Sequence, residues 1–138
     1  MSVNQSPIHI IRPKIGFSRP TVANTASDGS GTLDTLFIAG ANGSLVNQIC
    51  FTNSQPISSG STASVVRVFL TDTSGNNPRL LEEVSINSIT RTDSVIGSKN
   101  INFLKDGLWI ASGQIIKCCI SFYDLNSQVD IIAEGGDF

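Results

Sequence analysis

From about residue 33 onward, short runs of apolar and polar residues alternate along this 138-residue chain, and clusters of Gly, Asn, Ser and Asp separate them. In Ser64-Val65-Val66-Arg67-Val68-Phe69-Leu70, an extended backbone places Val66, Val68 and Leu70 on one face and Val65, Arg67 and Phe69 on the other. In Gln114 to Tyr123 the set Ile116, Cys118, Ile120 and Phe122 opposes Lys117, Cys119, Ser121 and Tyr123. The pattern predicts strands over Leu33 to Ile38, Ser44 to Phe51, Thr62 to Thr71, Arg79 to Asn87, Lys99 to Leu104, Leu108 to Ala111, Gln114 to Tyr123 and Gln128 to Glu134. No helical stripe is sustained; Leu80-Leu81-Glu82-Glu83 comes nearest, and Val84-Ser85-Ile86 draws it toward strand. The expected fold is therefore all-β, an antiparallel β-sandwich of about eight strands, jelly-roll-like. Both faces of these strands are fairly apolar, so one face is expected to meet a second sheet and the other a partner chain.

Ala39-Gly40-Ala41-Asn42-Gly43 lies between two apolar runs. Asn-Gly adopts positive φ readily, so the segment reads as a strand-to-strand turn that sets register, a structural task without catalytic groups. Upstream, Thr21 to Thr32 is loop by composition. Pro7, Pro13 and Pro20 block a helix over the first twenty residues and favour extended chain. Residues 1–20 are thus read as an extended N-terminal arm and residues 21–138 as a single β-sandwich domain. The arm's Ile8, Ile10, Ile11, Ile15 and Phe17 are costly to expose and are expected to bind the body of the protein or a neighbour. Removing Met1 to Phe17 is expected to leave the domain folded and impair assembly.

Composition narrows the role. Charged residues are 14% of the chain, well below the roughly 25% of an average soluble domain, and hydrophobic residues are 40%. A surface built from Ser, Thr, Asn and Gln repels neighbours weakly, which favours contact with other protein. A net charge of −2 argues against nucleic acid as a partner, because phosphate neutralisation needs a concentrated basic face and Arg12, Lys14 and Arg19 are the one basic cluster. No apolar run is long enough to span a membrane or to serve as a signal-peptide core, so synthesis in a cytoplasm is expected.

Catalytic constellations are missing from the pattern. With His9 as the single imidazole, a Ser-His or Cys-His pair would have to recruit the arm. Neither a phosphate-cradling loop nor a dinucleotide fingerprint occurs. Cys50, Cys118 and Cys119 each sit in an apolar run and read as small buried hydrophobes. Asp124, Asp130, Glu134 and Asp137 match no calcium-loop spacing. The expectation is no enzyme, no cofactor and no metal.

Five motifs occur in order: Pro13-Lys14-Ile15-Gly16; Asn24-Thr25 with Asp28-Gly29-Ser30-Gly31-Thr32; Ala39-Gly40-Ala41-Asn42-Gly43-Ser44; Val66-Arg67-Val68-Phe69-Leu70; and Gly135-Gly136-Asp137-Phe138. This order resembles a group of short tailed-bacteriophage virion structural proteins. Where those sequences often carry Leu-x-Leu-Pro-x-Gly, this chain has Leu108-Trp109-Ile110-Ala111-Ser112-Gly113, and Gly113 is expected to preserve the turn. The resemblance implies an auxiliary or decoration protein on the capsid surface of a virion, with the major capsid protein as partner and a homo-oligomer, trimer favoured, as the assembly unit. Ile8, Ile10, Ile11, Ile15, Phe17, Trp109, Asp137 and Phe138 are the candidate partner interface. The alternative expectation is a carbohydrate- or receptor-binding module of a head or tail fibre, in which Trp109 or Tyr123 would stack on a ligand.

Overall fold

A computed structural model of the chain describes residues 12–57, 59–97 and 99–138, with backbone alone over 99–106. Eight strands follow in order: β1 (Arg12–Ser18), β2 (Asp34–Ile38), β3 (Ser44–Asn53), β4 (Ser64–Thr71), β5 (Arg79–Ile86), β6 (Lys99–Ile110), β7 (Ile115–Ile120) and β8 (Val129–Asp137). They form two four-stranded antiparallel sheets, β1-β8-β3-β6 and β2-β7-β4-β5. Of all consecutive strands, only β4 and β5 are neighbours in one sheet; every other connection passes from sheet to sheet. That winding makes the sandwich a jelly roll.

Alternation places the core. Phe37, Ile49, Phe51, Val66, Val68 and Ile131 are almost fully buried between the sheets, and burying a side chain of this size contributes about 1.5–3 kcal/mol. Predicted and observed strands agree in number but not in membership. The segments expected at Lys99 to Leu104 and Leu108 to Ala111 are one strand, β6. The break between them persists as a bulge: pairing with β3 jumps from Val46↔Leu108 to Gln48↔Phe103, so residues 104–107 stand opposite Asn47 alone. The remaining strand comes from the expected arm. Arg12–Ser18 pairs with β8 along all seven residues, Arg12↔Asp137 through Ser18↔Ile131. These residues are drawn into the body as a strand of the sandwich, not an arm outside it.

The Ala39 to Gly43 segment is not a register-setting turn within a sheet. Its flanking strands β2 and β3 lie in different sheets, so it is a corner between the two layers. The Gly43 N–H donates to the Gly40 carbonyl at 3.1 Å, and Gly43 alone takes positive φ, 86°, while Asn42 does not. A Cβ on Gly43 would also meet the Ile110 carbonyl oxygen at 2.8 Å, so only glycine fits. The Ala111 to Gln114 turn forms without proline: Gln114 N–H donates to the Ala111 carbonyl at 3.1 Å, and Gly113 supplies φ of 73°.

The loop over residues 21–33 wraps the outer side of the β2-β7-β4-β5 sheet. Ala23 bridges to Ile120, and the Asn24 N–H donates to the Ile120 carbonyl at 2.8 Å. The Asn24 amide then ties the loop to itself, donating to the carbonyls of Ser30 and Thr32 at 2.9 Å each and accepting from Ala26 N–H at 3.0 Å. Gly29 sits against Pro78 and Phe69. Phe69 and Cys119 alternate away from the sandwich core, yet neither is exposed.

Candidate interaction face

Three of the five motifs meet at one end of the β1-β8-β3-β6 sheet. Lys14 on β1 reaches Asp137 on β8 at 3.4 Å and also donates to the Ile38 carbonyl. The Ser44 hydroxyl at the start of β3 donates to Asp137 Oδ1 at 2.5 Å and accepts from the Gly40 N–H at 2.9 Å. Lys14 Nζ lies 4.9 Å from the centre of the Phe37 ring, an attractive arrangement for a cation over an aromatic face. Burial alone would raise the Asp137 pKa, but the Ser44 hydroxyl and the Lys14 ammonium together hold it below the ordinary carboxylate value. A Cβ at Gly40 would strike the Asp137 carboxyl carbon at 2.7 Å. The motif residues therefore make a structural knot joining the first and last strands to the corner.

Chain direction explains why the terminal Phe138 lies where it does. Its N–H donates to the Gly43 carbonyl at 3.2 Å, and its ring stacks on Trp109 with centroids 5.0 Å apart and planes at 22°. Trp109 stays 56% exposed. The sequence alone could not bring these two aromatics together, because β6 and β8 touch only through β3.

Register lays out the outer face of this sheet. One row holds Pro13, Gly136, Leu45 and Trp109; the next holds Ile15, Glu134 and Gln48; the third holds Phe17, Ile132 and Cys50. Ile15 is 63% and Phe17 78% exposed. Glu134 is the acid within these rows, and it accepts from the Gln48 amide at 2.5 Å. Beyond Phe17 the face ends at the Arg19–Asp130 pair, with Nε–Oδ1 at 2.6 Å and Nη2–Oδ2 at 3.0 Å. The hydrogen bond from Arg19 holds the Asp130 carboxyl below its ordinary pKa in spite of burial.

The expected interface residues thus divide. Ile15, Phe17 and Trp109 lie on this face, and Phe138 borders it through the Trp109 stack. Asp137 turns instead to Lys14 and Ser44. Ile8, Ile10 and Ile11 fall outside the described residues. Leu45 and Ile132 complete the face and were not singled out from the sequence; Ile131 and Ile132 are equally apolar, and only the pairing Phe17↔Ile132 decides which of the two points outward. Cys50 also belongs here, between the core residues Ile49 and Phe51 but on the opposite side of the strand.

Chemistry at the remaining groups is muted. Burial pushes the Cys118 thiol up to about 12 and raises Cys119 as well, so neither is a ready thiolate at neutral pH. Among the described residues no three His, Cys, Asp or Glu side chains gather as metal ligands would. In comparisons with known proteins, no family model matches the chain and no curated sequence matches it.

Proposed function

We propose that the chain is a non-enzymatic structural protein of a bacteriophage virion, an auxiliary or decoration protein that attaches to the outer capsid surface and stabilises contacts between major capsid subunits. The observation that carries this reading is the outer face of the β1-β8-β3-β6 sheet, where Ile15, Phe17 and Trp109 are all more than half exposed. Soluble monomers rarely leave a contiguous apolar patch of more than a few hundred Å² uncovered, and such patches mark interaction sites. The low charge of the chain suits permanent burial against other protein, and the five ordered motifs resemble virion structural proteins. The chain's contribution would be mechanical: apolar surface buried across subunit joints, multiplied by the valency of a homo-oligomer.

Sedimentation of purified protein with undecorated heads of its own virus tests this. Co-sedimentation that saturates at a copy number matching lattice symmetry axes is the expected result; a protein that stays in the supernatant at saturating concentration removes the capsid reading. The exposure of Trp109 favours one alternative, a carbohydrate-binding module in which a sugar ring stacks on the indole. Binding of glycans by the free protein, lost in Trp109→Ala, would select that alternative.

A further inference from the structure

The two ends of the sandwich differ in what their loops present. The β2–β3, β4–β5 and β6–β7 connections close one end, and their tips at Asn42-Gly43, Ser74-Gly75-Asn76 and Ser112-Gly113 carry ordinary turn residues. The β3–β4, β5–β6 and β7–β8 connections close the other, as the pairings Asn53↔Val129, Thr52↔Lys99 and Ser64↔Ile86 require. There the tips carry Ile57, Val95, Ile96 and Leu125, large apolar side chains standing in water, with Ile96 82% and Leu125 70% exposed. We infer that this end is a second docking surface, for a protein surface in which apolar hollows lie among basic side chains. The inference rests on the proposed function and deepens it: a protein that holds two shell subunits together needs two separate surfaces, one the outer face of β1-β8-β3-β6 and the other this end.

The loops that carry these tips are tied to one another. Gln55 is fully buried, its amide donates to the Ile89 carbonyl at 2.7 Å and the Ser59 carbonyl at 3.3 Å, and Arg91 Nη1 donates to the Gln55 carbonyl at 2.7 Å. The Ser61 N–H donates to the Ile89 carbonyl at 2.9 Å, joining the β3–β4 loop to the β5–β6 loop. On its other flank the Ser54 N–H donates to the Gln128 carbonyl at 2.9 Å and the Thr62 N–H to the buried Ser127 hydroxyl at 2.9 Å. Holding loops in their bound shape lowers the ordering cost of association. An isoleucine at such a tip adds nothing to the core, whereas a partner can bury it.

Charge selects the occupant. Apolar tips that enter a membrane of anionic lipid are surrounded by basic residues, and nucleic acid asks for the same sign. The charged residues of these three connections are Arg91, Asp93 and Asp124. Arg91 is turned inward to Gln55, while both acids are exposed and neither is in an ion pair among the described residues. Apolar tips with acids between them complement a basic protein surface.

The test is sedimentation of the full-length protein with undecorated heads over a range of protein concentrations. Ile96→Ser combined with Leu125→Ser should raise the half-saturating concentration at least about tenfold, because apolar side chains of this size lose their burial against the shell. Both are exposed in the free protein, so cooperative thermal unfolding should persist. Leu80→Ser, a half-exposed residue near the opposite end of β5, should leave head binding unchanged. Asp93→Asn combined with Asp124→Asn should weaken binding at low salt and flatten its dependence on salt. Apolar-tip variants that bind heads as the wild type does overturn the inference and keep the proposed function; tighter binding by the Asn variants overturns the basic character of the partner. A wild-type chain that stays in the supernatant removes the proposed function and this inference with it, and sedimentation instead with vesicles of phosphatidylcholine and phosphatidylserine assigns the tips to lipid.

Discussion

Lys14 and Asp137, 123 residues apart in sequence, form an ion pair at 3.4 Å that joins the first strand to the last. Both side chains are largely shielded, at 31% and 22% exposure, and Asp137 also accepts from Ser44. The pair is therefore held by the corner as well as by the sheet.

Acid should loosen this knot. The Asp137 pKa is depressed in the fold, so its contribution to stability is complete above the ordinary aspartate value near 4 and is lost as pH falls through the lower folded value. Asp137→Asn should lower unfolding free energy at neutral pH by about 1–2 kcal/mol. The gap between wild type and variant, followed by denaturant titration, should close as pH drops below about 4. Asp28, Asp72 and Asp130 are shifted in the same direction, so the wild type itself loses stability in acid, and the difference curve isolates Asp137.

Glycine at 135 is demanded by packing. A Cβ there would lie 1.9 Å from the Leu45 carbonyl oxygen, and one at Gly16 would lie 2.0 Å from the Leu36 carbonyl oxygen. Backbone cannot yield as a flexible side chain does, so Gly135→Ala and Gly16→Ala should each destabilise by about 2–3 kcal/mol. Thermal melts of the two variants check this; unchanged midpoints would mean the strands are not apposed as described.

Truncation separates the expected arm from the sandwich. Deleting residues 1–11 leaves β1 and its pairing with β8 in place, whereas deleting residues 1–17 removes all but one residue of β1 together with Lys14. The shorter deletion should keep a cooperative melt close to that of the full chain. The longer one should lower the midpoint by many degrees, contrary to what an arm ending at residue 20 implies.

Trp109 is the single tryptophan, so intrinsic fluorescence reports one site. With the indole 56% exposed and stacked on Phe138, emission of dilute protein should be red-shifted and quenched by iodide.

The interaction face was partly legible before any fold was known. Ile15, Phe17 and Trp109 stand out as apolar residues in a chain that could have buried them elsewhere, and all three prove exposed. Cys50, expected to be a small buried hydrophobe from its apolar run, is buried at 9%, on the outer side of β3 opposite Ile132. Asp137 stood out through its motif, while its actual partners depend on residues 93 and 123 positions away.

What the sequence determined by itself was local: the period of two that makes strands, the Gly and Asn clusters that end them, and the sandwich class that follows from eight such runs. It also contained the chemistry that binds the knot, as Lys14, Ser44 and Asp137 in three separated motifs. Tertiary structure decided the sheet to which each strand belongs, the corner at Ala39 to Gly43, the union of two predicted strands into β6 and the recruitment of Arg12–Ser18 as β1. Those choices rest on pairing between strands distant in sequence. Alternation specifies that a strand has two faces, but only the neighbouring strand's register and the covering loop settle which face meets the core and which is left bare.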